Sequence, residues 1–298
     1  MKHVTAPARR ILSIDGGGLH GIIPAAVLAH IERRAGRRAG EMFDLIVGTS
    51  AGGLIALALT KPQPLEARRV LRLITDRARE IFPRRWLRLP WLIRPKYDAE
   101  PFERVLKQAL GFHAVYSCKP RVMVTAYDIE KRRPRFFKSW RGEATPVWSA
   151  ARATSAAPTY FPPHGALIDG GVFVNNPAMC AYAEAQKLWP GERCLVVSLG
   201  TGEHTRPMSA KSARGNGLVG WARWIVSVFM DGQADAVAHH LDHIPNADHV
   251  RLQTRLELAS DDFDDTSPEN IAALQAEARR LIASRGPEID RLVARLGP

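Results

Sequence analysis

The chain has 298 residues, 46% apolar and 24% charged, an ordinary globular mixture able to bury a sizeable core. No stretch approaches the roughly 20 apolar residues that span a bilayer, and the basic first ten residues (MKHVTAPARR) lack the apolar run of a signal peptide. The net charge of +12 points to an anionic partner: membrane, nucleic acid or nucleotide.

In chain order, residues 10–15 (RILSID) form a short apolar run ended by glycines and read as a buried strand. Residues 21–35 carry apolar positions at helical spacing, with Pro24 in the first turn, where proline is tolerated. Residues 43–47 (FDLIV) read as a second buried strand and 51–60 as an apolar helix directly after it. Residues 64–81 read as a basic amphipathic helix. Residues 121–127 and 135–138 read as strands, 166–169 as a short strand, 177–188 as a helix and 194–199 (CLVVSL) as a buried strand. Helix, strand and helix are expected over 218–241, 249–254 and 268–296. Continuous apolar strands alternating with helices predict an α/β fold with a mostly parallel sheet covered on both faces. No linker or repeat interrupts the pattern, so one domain over residues 1–298 is expected, with an inserted segment near 83–97. Three cysteines, Cys118, Cys180 and Cys194, are odd in number and set in apolar surroundings, which favours a reduced, cytosolic protein.

Three glycine-marked turns carry the chemistry. In DGGGLHG (residues 15–21), glycines between a strand and a helix let the backbone approach an anion held by N–H groups at a helix N-terminus. Gly16, Gly18 and Gly21 formally satisfy the dinucleotide pattern. That fold should place an acid at the end of the second strand, and here the strand runs into Gly48-Thr49-Ser50. An oxyanion is the other anion such a turn can hold, and a plain tight turn would also produce the run. GTSAG (residues 48–52) is a G-x-S-x-G with a buried strand before it and an apolar helix after it. This is the context of a nucleophile elbow, with Gly48 and Gly52 relieving the crowding around Ser50. A serine needs a base. Asp169, followed by Gly170 and Gly171 at a strand end, can approach another loop closely and accept a hydroxyl proton; a structural Asp in a turn fits the same motif. Among ten histidines, His239, His240 and His243 read as surface residues, His113 and His164 lie in loops, and His249 is not excluded as a base by spacing.

Taken together, DGGGLHG, GTSAG and DGGVFVNNP, with ARATSAAPTYFPP (residues 151–163) before the last, resemble the patatin-like phospholipases over about residues 11–202. The resemblance implies a three-layer α/β/α fold and a Ser–Asp dyad without histidine. It makes Ser50 the nucleophile and Asp169 the general base. Gly16, Gly17 and Gly18 become the oxyanion hole, Gly170 and Gly171 support the base, and Asn175, Asn176 and Pro177 shape the turn after it. No metal or cofactor is implied. The implied reaction is hydrolysis of acyl esters of membrane glycerophospholipids through an acyl-enzyme. Members commonly carry Arg where this chain has His20, which opens the head-group preference. The resemblance extends to bacterial stand-alone members that include cyclic-nucleotide-activated anti-phage effectors, and it does not decide whether a nucleotide activates this chain.

Residues 84–96 (RRWLRLPWLIRPK) interleave five bases with apolar side chains. Trp86, Arg88, Trp91 and Arg94 suit contact with an anionic headgroup boundary, as an interfacial anchor or a lid, while a loop packed on the body with its bases in solvent is the plainer reading. No nucleic-acid recognition motif accompanies the charge. The expectation is a cytoplasmic, peripherally membrane-associated lipid acyl hydrolase. A non-catalytic lipid- or nucleotide-binding module on the same fold is the alternative from another class.

Overall fold

Every second residue of the central strands faces the opposite side of the sheet, and in this chain both sets are apolar. In the computed structural model, which describes residues 8–83, 94–203, 205, 210–215, 221 and 225–297, this alternation builds two cores. Leu12, Ile14, Ile46, Val122, Val124 and Val197 face one, and Ile11, Leu45, Val47, Met123 and Val196 face the other. The strands are β1 (Arg9–Ile14), β2 (Leu45–Thr49), β3 (Arg121–Asp128), β4 (Arg133–Lys138), β5 (Leu167–Asp169), β6 (Cys194–Leu199) and β7 (Ala247–Leu252). Their order is β4-β3-β2-β1-β6-β7, with β5 pairing β3. The pairs β1–β2, β1–β6, β2–β3 and β6–β7 are parallel, while β4 and β5 run antiparallel to β3. The fold is α/β with a mostly parallel central sheet, as expected.

The helices are α1 (Ile22–Ala35), α2 (Ala39–Met42), α3 (Ala51–Thr60), α4 (Ala67–Ile81), α5 (Ala99–Leu110), α6 (Val147–Thr154) and α7 (Ala178–Leu188), followed by Ala210–Gly215, Ile225–Asp242, Pro268–Ser284 and Gly286–Leu296. Residues of α1, α3 and the two C-terminal helices join the first core. Residues of α7 and of the helix Ile225–Asp242 join the second.

Three expectations about elements need correction. The single helix expected over 268–296 is two, broken at Arg285, because Pro287 has no N–H to donate to the carbonyl of Ala283 four residues back. It then sits in the first turn of the next helix, where a proline is tolerated. Second, α5 and α6 were not anticipated, although Phe102, Val105, Leu106 and Leu110 form a buried stripe at helical spacing. Third, β2 starts later and runs further than expected, so that Gly48 and Thr49 belong to the strand. This brings Ser50 to the strand's C-terminal edge, where α/β sheets bind ligands.

Candidate active site

Ser50 sits between β2 and α3 with φ 53° and ψ −124°, a region that costs an L-residue of order 1–3 kcal/mol. The surroundings impose it. A Cβ on Gly48 would overlap the Gly52 carbonyl, and one on Gly52 would overlap the Ile14 carbonyl. Only glycines let strand, turn and helix approach this closely. Thr154 Oγ1 accepts the Ser50 N–H at 2.9 Å. Thr49 Oγ1 bonds Thr125 Oγ1 and donates to the Val174 carbonyl, both at 2.8 Å. These bonds tie the elbow to β3, to α6 and to the loop after Asp169.

Asp169 closes β5, and its N–H donates to the Ala156 carbonyl at 3.0 Å. Ser50 Oγ donates to Asp169 Oδ2 at 2.6 Å, and the Gly171 N–H donates to Oδ1 at 2.7 Å. The carboxyl is buried, and that burial pushes its pKa up to about 6 against the pull of the two hydrogen bonds. A carboxylate so poorly hydrated, and in contact with a hydroxyl, is placed to accept that hydroxyl's proton near neutral pH.

Ser50 and Asp169 border a cavity of about 470 Å³. Its other walls are mostly apolar and include Leu54, Ile74, Phe82, Phe102, Phe161 and Phe263. Such a space takes a hydrocarbon chain rather than a polar ligand. Gly17 and Gly18 also border it. Gly18 has φ +54°, and its turn presses against the Phe263 backbone. Gly16 departs from the expectation, because its N–H is already donated to the Asn175 carbonyl at 3.1 Å. An N–H spent on a protein carbonyl is not offered to an oxyanion, which leaves Gly17 and Gly18 beside the cavity. Asn176 Oδ1 accepts the Ala178 N–H at 3.0 Å and so shapes the entry to α7.

Two residues near the glycines have structural partners that sequence spacing could not supply. Asp15 accepts from Arg251 of β7 at 2.6 Å, and Arg251 also donates to Ser198 Oγ at 2.8 Å. Burial pushes the Asp15 carboxyl up while Arg251 pulls it down. His20 is fully buried; its Nε2 donates to the Ser260 carbonyl at 2.9 Å, and its ring packs on Phe263. His20 therefore braces the loop that carries Phe263 to the cavity wall. Thr154 was also missed as a site residue. It lies within the ARATSAAPTYFPP segment, but no spacing rule links it to Ser50.

The histidines lie elsewhere. His249 Nδ1 bonds Asp242 at 2.7 Å and its ring does not line the cavity. His239, His240 and His243 are exposed around the end of the helix Ile225–Asp242, His113 is exposed, and His164 bonds Ser149 Oγ at 2.7 Å. Of the expected membrane contacts, Trp86, Arg88 and Trp91 lie outside the described residues, while Arg94 is exposed. Arg68, Arg69, Arg72 and Arg79 form a solvated basic face on α4. Lys96 and Tyr97 both donate to Asp264, joining the end of the basic segment to the acidic loop that carries Phe263. No helix among the described residues is long and apolar enough to cross a membrane.

Residues 12–182 match the family model described as Patatin-like phospholipase. Patatin-like protein 2 of Oryza sativa subsp. indica is 29% identical over 94% of this chain and 85% of its own. Patatin-like protein 2 of Arabidopsis thaliana is 32% identical over 82% of this chain and 75% of its own. A protein of Escherichia coli (strain TW11681) named cGAMP-activated phospholipase is 35% identical over 61% of this chain and 57% of its own. A strand-elbow-helix serine beside a buried carboxylate, within a sequence that matches this model over more than half its length, has one reading: the chain belongs to the patatin-like phospholipase family.

Proposed function

We propose that this chain hydrolyses acyl esters of membrane phospholipids with Ser50 as nucleophile and Asp169 as general base. The observation that carries the reading is the 2.6 Å hydrogen bond from Ser50 Oγ to Asp169 Oδ2 at the wall of an apolar cavity. Asp169 takes the hydroxyl proton as Oγ attacks the ester carbonyl. The resulting oxyanion lies against the Gly17 and Gly18 N–H groups and the N-terminus of α3. Collapse breaks the ester C–O bond, and Asp169 returns the proton to the departing lysolipid alkoxide. Water then attacks the acyl-Ser50 ester, with Asp169 again accepting and returning a proton, and fatty acid leaves. The cavity holds the acyl chain, and no metal takes part.

The test is fluorophosphonate labelling together with fatty-acid release from phospholipid vesicles. Both are expected in the wild type and absent in Ser50→Ala. Hydrolysis that persists in Ser50→Ala refutes the assignment; intact lipid binding with no hydrolysis in the wild type establishes the non-catalytic module instead. The enzyme acts peripherally at an anionic surface, through Arg94 and the neighbouring 84–93 segment. The free thiols of Cys118, Cys180 and Cys194 fit a reducing compartment such as the cytoplasm.

Activation by a cyclic nucleotide is a second reading, favoured by the 35% identity to the Escherichia coli protein named cGAMP-activated phospholipase. Adding cGAMP should then raise the rate of fatty-acid release and change the oligomeric size. A flat response rejects it.

A further inference from the structure

The loop between β7 and the helix Pro268–Ser284 contains four acids in six residues, 260–265 (SDDFDD), beyond the residues 12–182 that match the family model. Asn270 fixes both ends of this stretch. Its Oδ1 accepts the Ser260 N–H and its Nδ2 donates to the Asp265 carbonyl, both at 2.8 Å. Between these anchors, Phe263 meets the glycine turn and Asp264 meets the segment before α5.

On the first side, the Phe263 carbonyl accepts the Leu19 N–H at 2.8 Å. The same oxygen lies so near Gly18 that a Cβ there would come within 2.5 Å of it. On the second side, Asp264, its side chain 7% exposed, accepts from the Lys96 ammonium and the Tyr97 hydroxyl. Those two residues are held in turn to the wall of the Ser50 cavity. Their N–H groups donate to the carbonyls of Thr159 and Tyr160, both at 2.8 Å. The Tyr97 ring packs on Phe82 and Phe161, with centroids 5.4 and 5.6 Å away. Phe82, Thr159, Tyr160 and Phe161 all border the cavity.

A buried carboxylate that holds a cation and a hydroxyl is a strong, directional anchor. From Asp264 to the glycine turn the path is one residue of backbone and one hydrogen bond. Hydrogen bonds weaken steeply as donor and acceptor move out of line, and an oxyanion donor must lie within about 2.7–3.1 Å of the developing charge. A displaced Phe263 carbonyl therefore passes its displacement to Gly17 and Gly18.

On the reading of Ser50 as nucleophile, we propose that Asp264 is a positioning residue: it clamps the Phe263 carbonyl against the glycine turn and so holds the Gly17 and Gly18 N–H groups at the oxyanion. Asp264 does not itself border the cavity, so its removal acts on kcat rather than on lipid binding.

The test compares Asp264→Ala, Asp264→Asn and Asp262→Ala in the full-length chain, with kcat referred to active sites counted by fluorophosphonate titration. On a soluble butyryl ester, Asp264→Ala should lower kcat about tenfold, part of the ~10²–10³ that loss of a whole oxyanion donor costs, while KM stays within about twofold. Asp264→Asn keeps an oxygen for Tyr97 and loses the charge that holds Lys96, so its kcat should lie between. Asp262 is exposed in the same loop, where solvent and salt screen its charge, and Asp262→Ala should keep kcat within about twofold. Hydrogen exchange gives a readout that needs no catalysis. The Leu19 amide should exchange about tenfold faster in Asp264→Ala, with the amides of β1 and α3 unchanged. A merely structural loss would speed exchange throughout and lower the active fraction rather than kcat per site.

An unchanged Leu19 amide overturns the clamp. An equal loss of kcat in Asp262→Ala, or a raised KM at unchanged kcat, overturns the positioning role. A wild type without Ser50-dependent hydrolysis refutes the nucleophile reading instead, and the Leu19 amide then decides the clamp by itself. If Asp264→Ala does not fold, Asp264→Asn and Tyr97→Phe, which keeps the ring packing, carry the same comparisons, with kcat lowered at least about threefold.

Discussion

Asp169→Asn removes a charge that the fold holds at a cost, and the cost can be worked out. Burial raises the carboxyl from an ordinary pKa of 3.8 to about 6, which corresponds to about 3 kcal/mol once the group is ionised in the folded state. Because the folded-state pKa is raised, this contribution to stability is fully present below pH 3.8 and is lost as the pH rises through 6. The amide never ionises and avoids that loss. It also weakens the hydrogen bonds from Ser50 and Gly171, worth about 1–2 kcal/mol in total. At pH 7.5 the variant should therefore be more stable than wild type by about 1–2 kcal/mol, a gain that shrinks and then reverses as the pH falls towards 4.5. Urea unfolding from pH 4.5 to 8, compared at equal m-values, measures the gap. Fatty-acid release should fall by about a thousandfold or more in the same protein, because the amide is no base. A variant less stable at pH 7.5 by an amount that does not change with pH would mean that the carboxyl ionises at an ordinary pKa, and the reasoning from burial would fail.

The same pKa sets the acid limb of the rate profile: kcat/KM should rise with pH through about 6, and a limb near 4 would show a solvated, weakly basic carboxylate. Ile74→Trp, projecting into the acyl cavity, should lower kcat/KM for long-chain phospholipids about tenfold while leaving a butyryl ester within about twofold; equal losses on both would place the acyl chain elsewhere. Gly52→Ala drives a Cβ into the Ile14 and Asp15 carbonyls, which cannot rotate away. Its melting curve should show a loss at or beyond the upper end of the ~1–3 kcal/mol of ordinary overpacking, and a near-neutral effect would refute the tight elbow.

Much of the fold was legible because its signals are local. β1, α1, α3 and β6 lie where apolar runs and helical spacing placed them, within a residue or two. The break between the last two helices was also written locally, in Gly286-Pro287, but a continuous apolar periodicity masked it. The stripe of α5 was available in Phe102, Val105, Leu106 and Leu110, beside the basic segment.

Ser50 belongs to the part that sequence alone determines. A strand, a glycine two residues on either side and an apolar helix state the elbow's steric requirement within a few residues. Asp169 does not, because from its motif a catalytic base and a turn aspartate look alike. What supports the proposed base role is a hydroxyl 2.6 Å away, 119 residues earlier in the chain, and the burial that raises its pKa to about 6. The same holds for Gly16, whose N–H turns to Asn175, for His20 inside the body of the protein, and for Asp15, paired with Arg251 across 236 residues. Steric demands act between chain neighbours and leave a pattern in the sequence. Hydrogen bonds, desolvation and charge act through space, so only the tertiary structure decided which groups these residues meet.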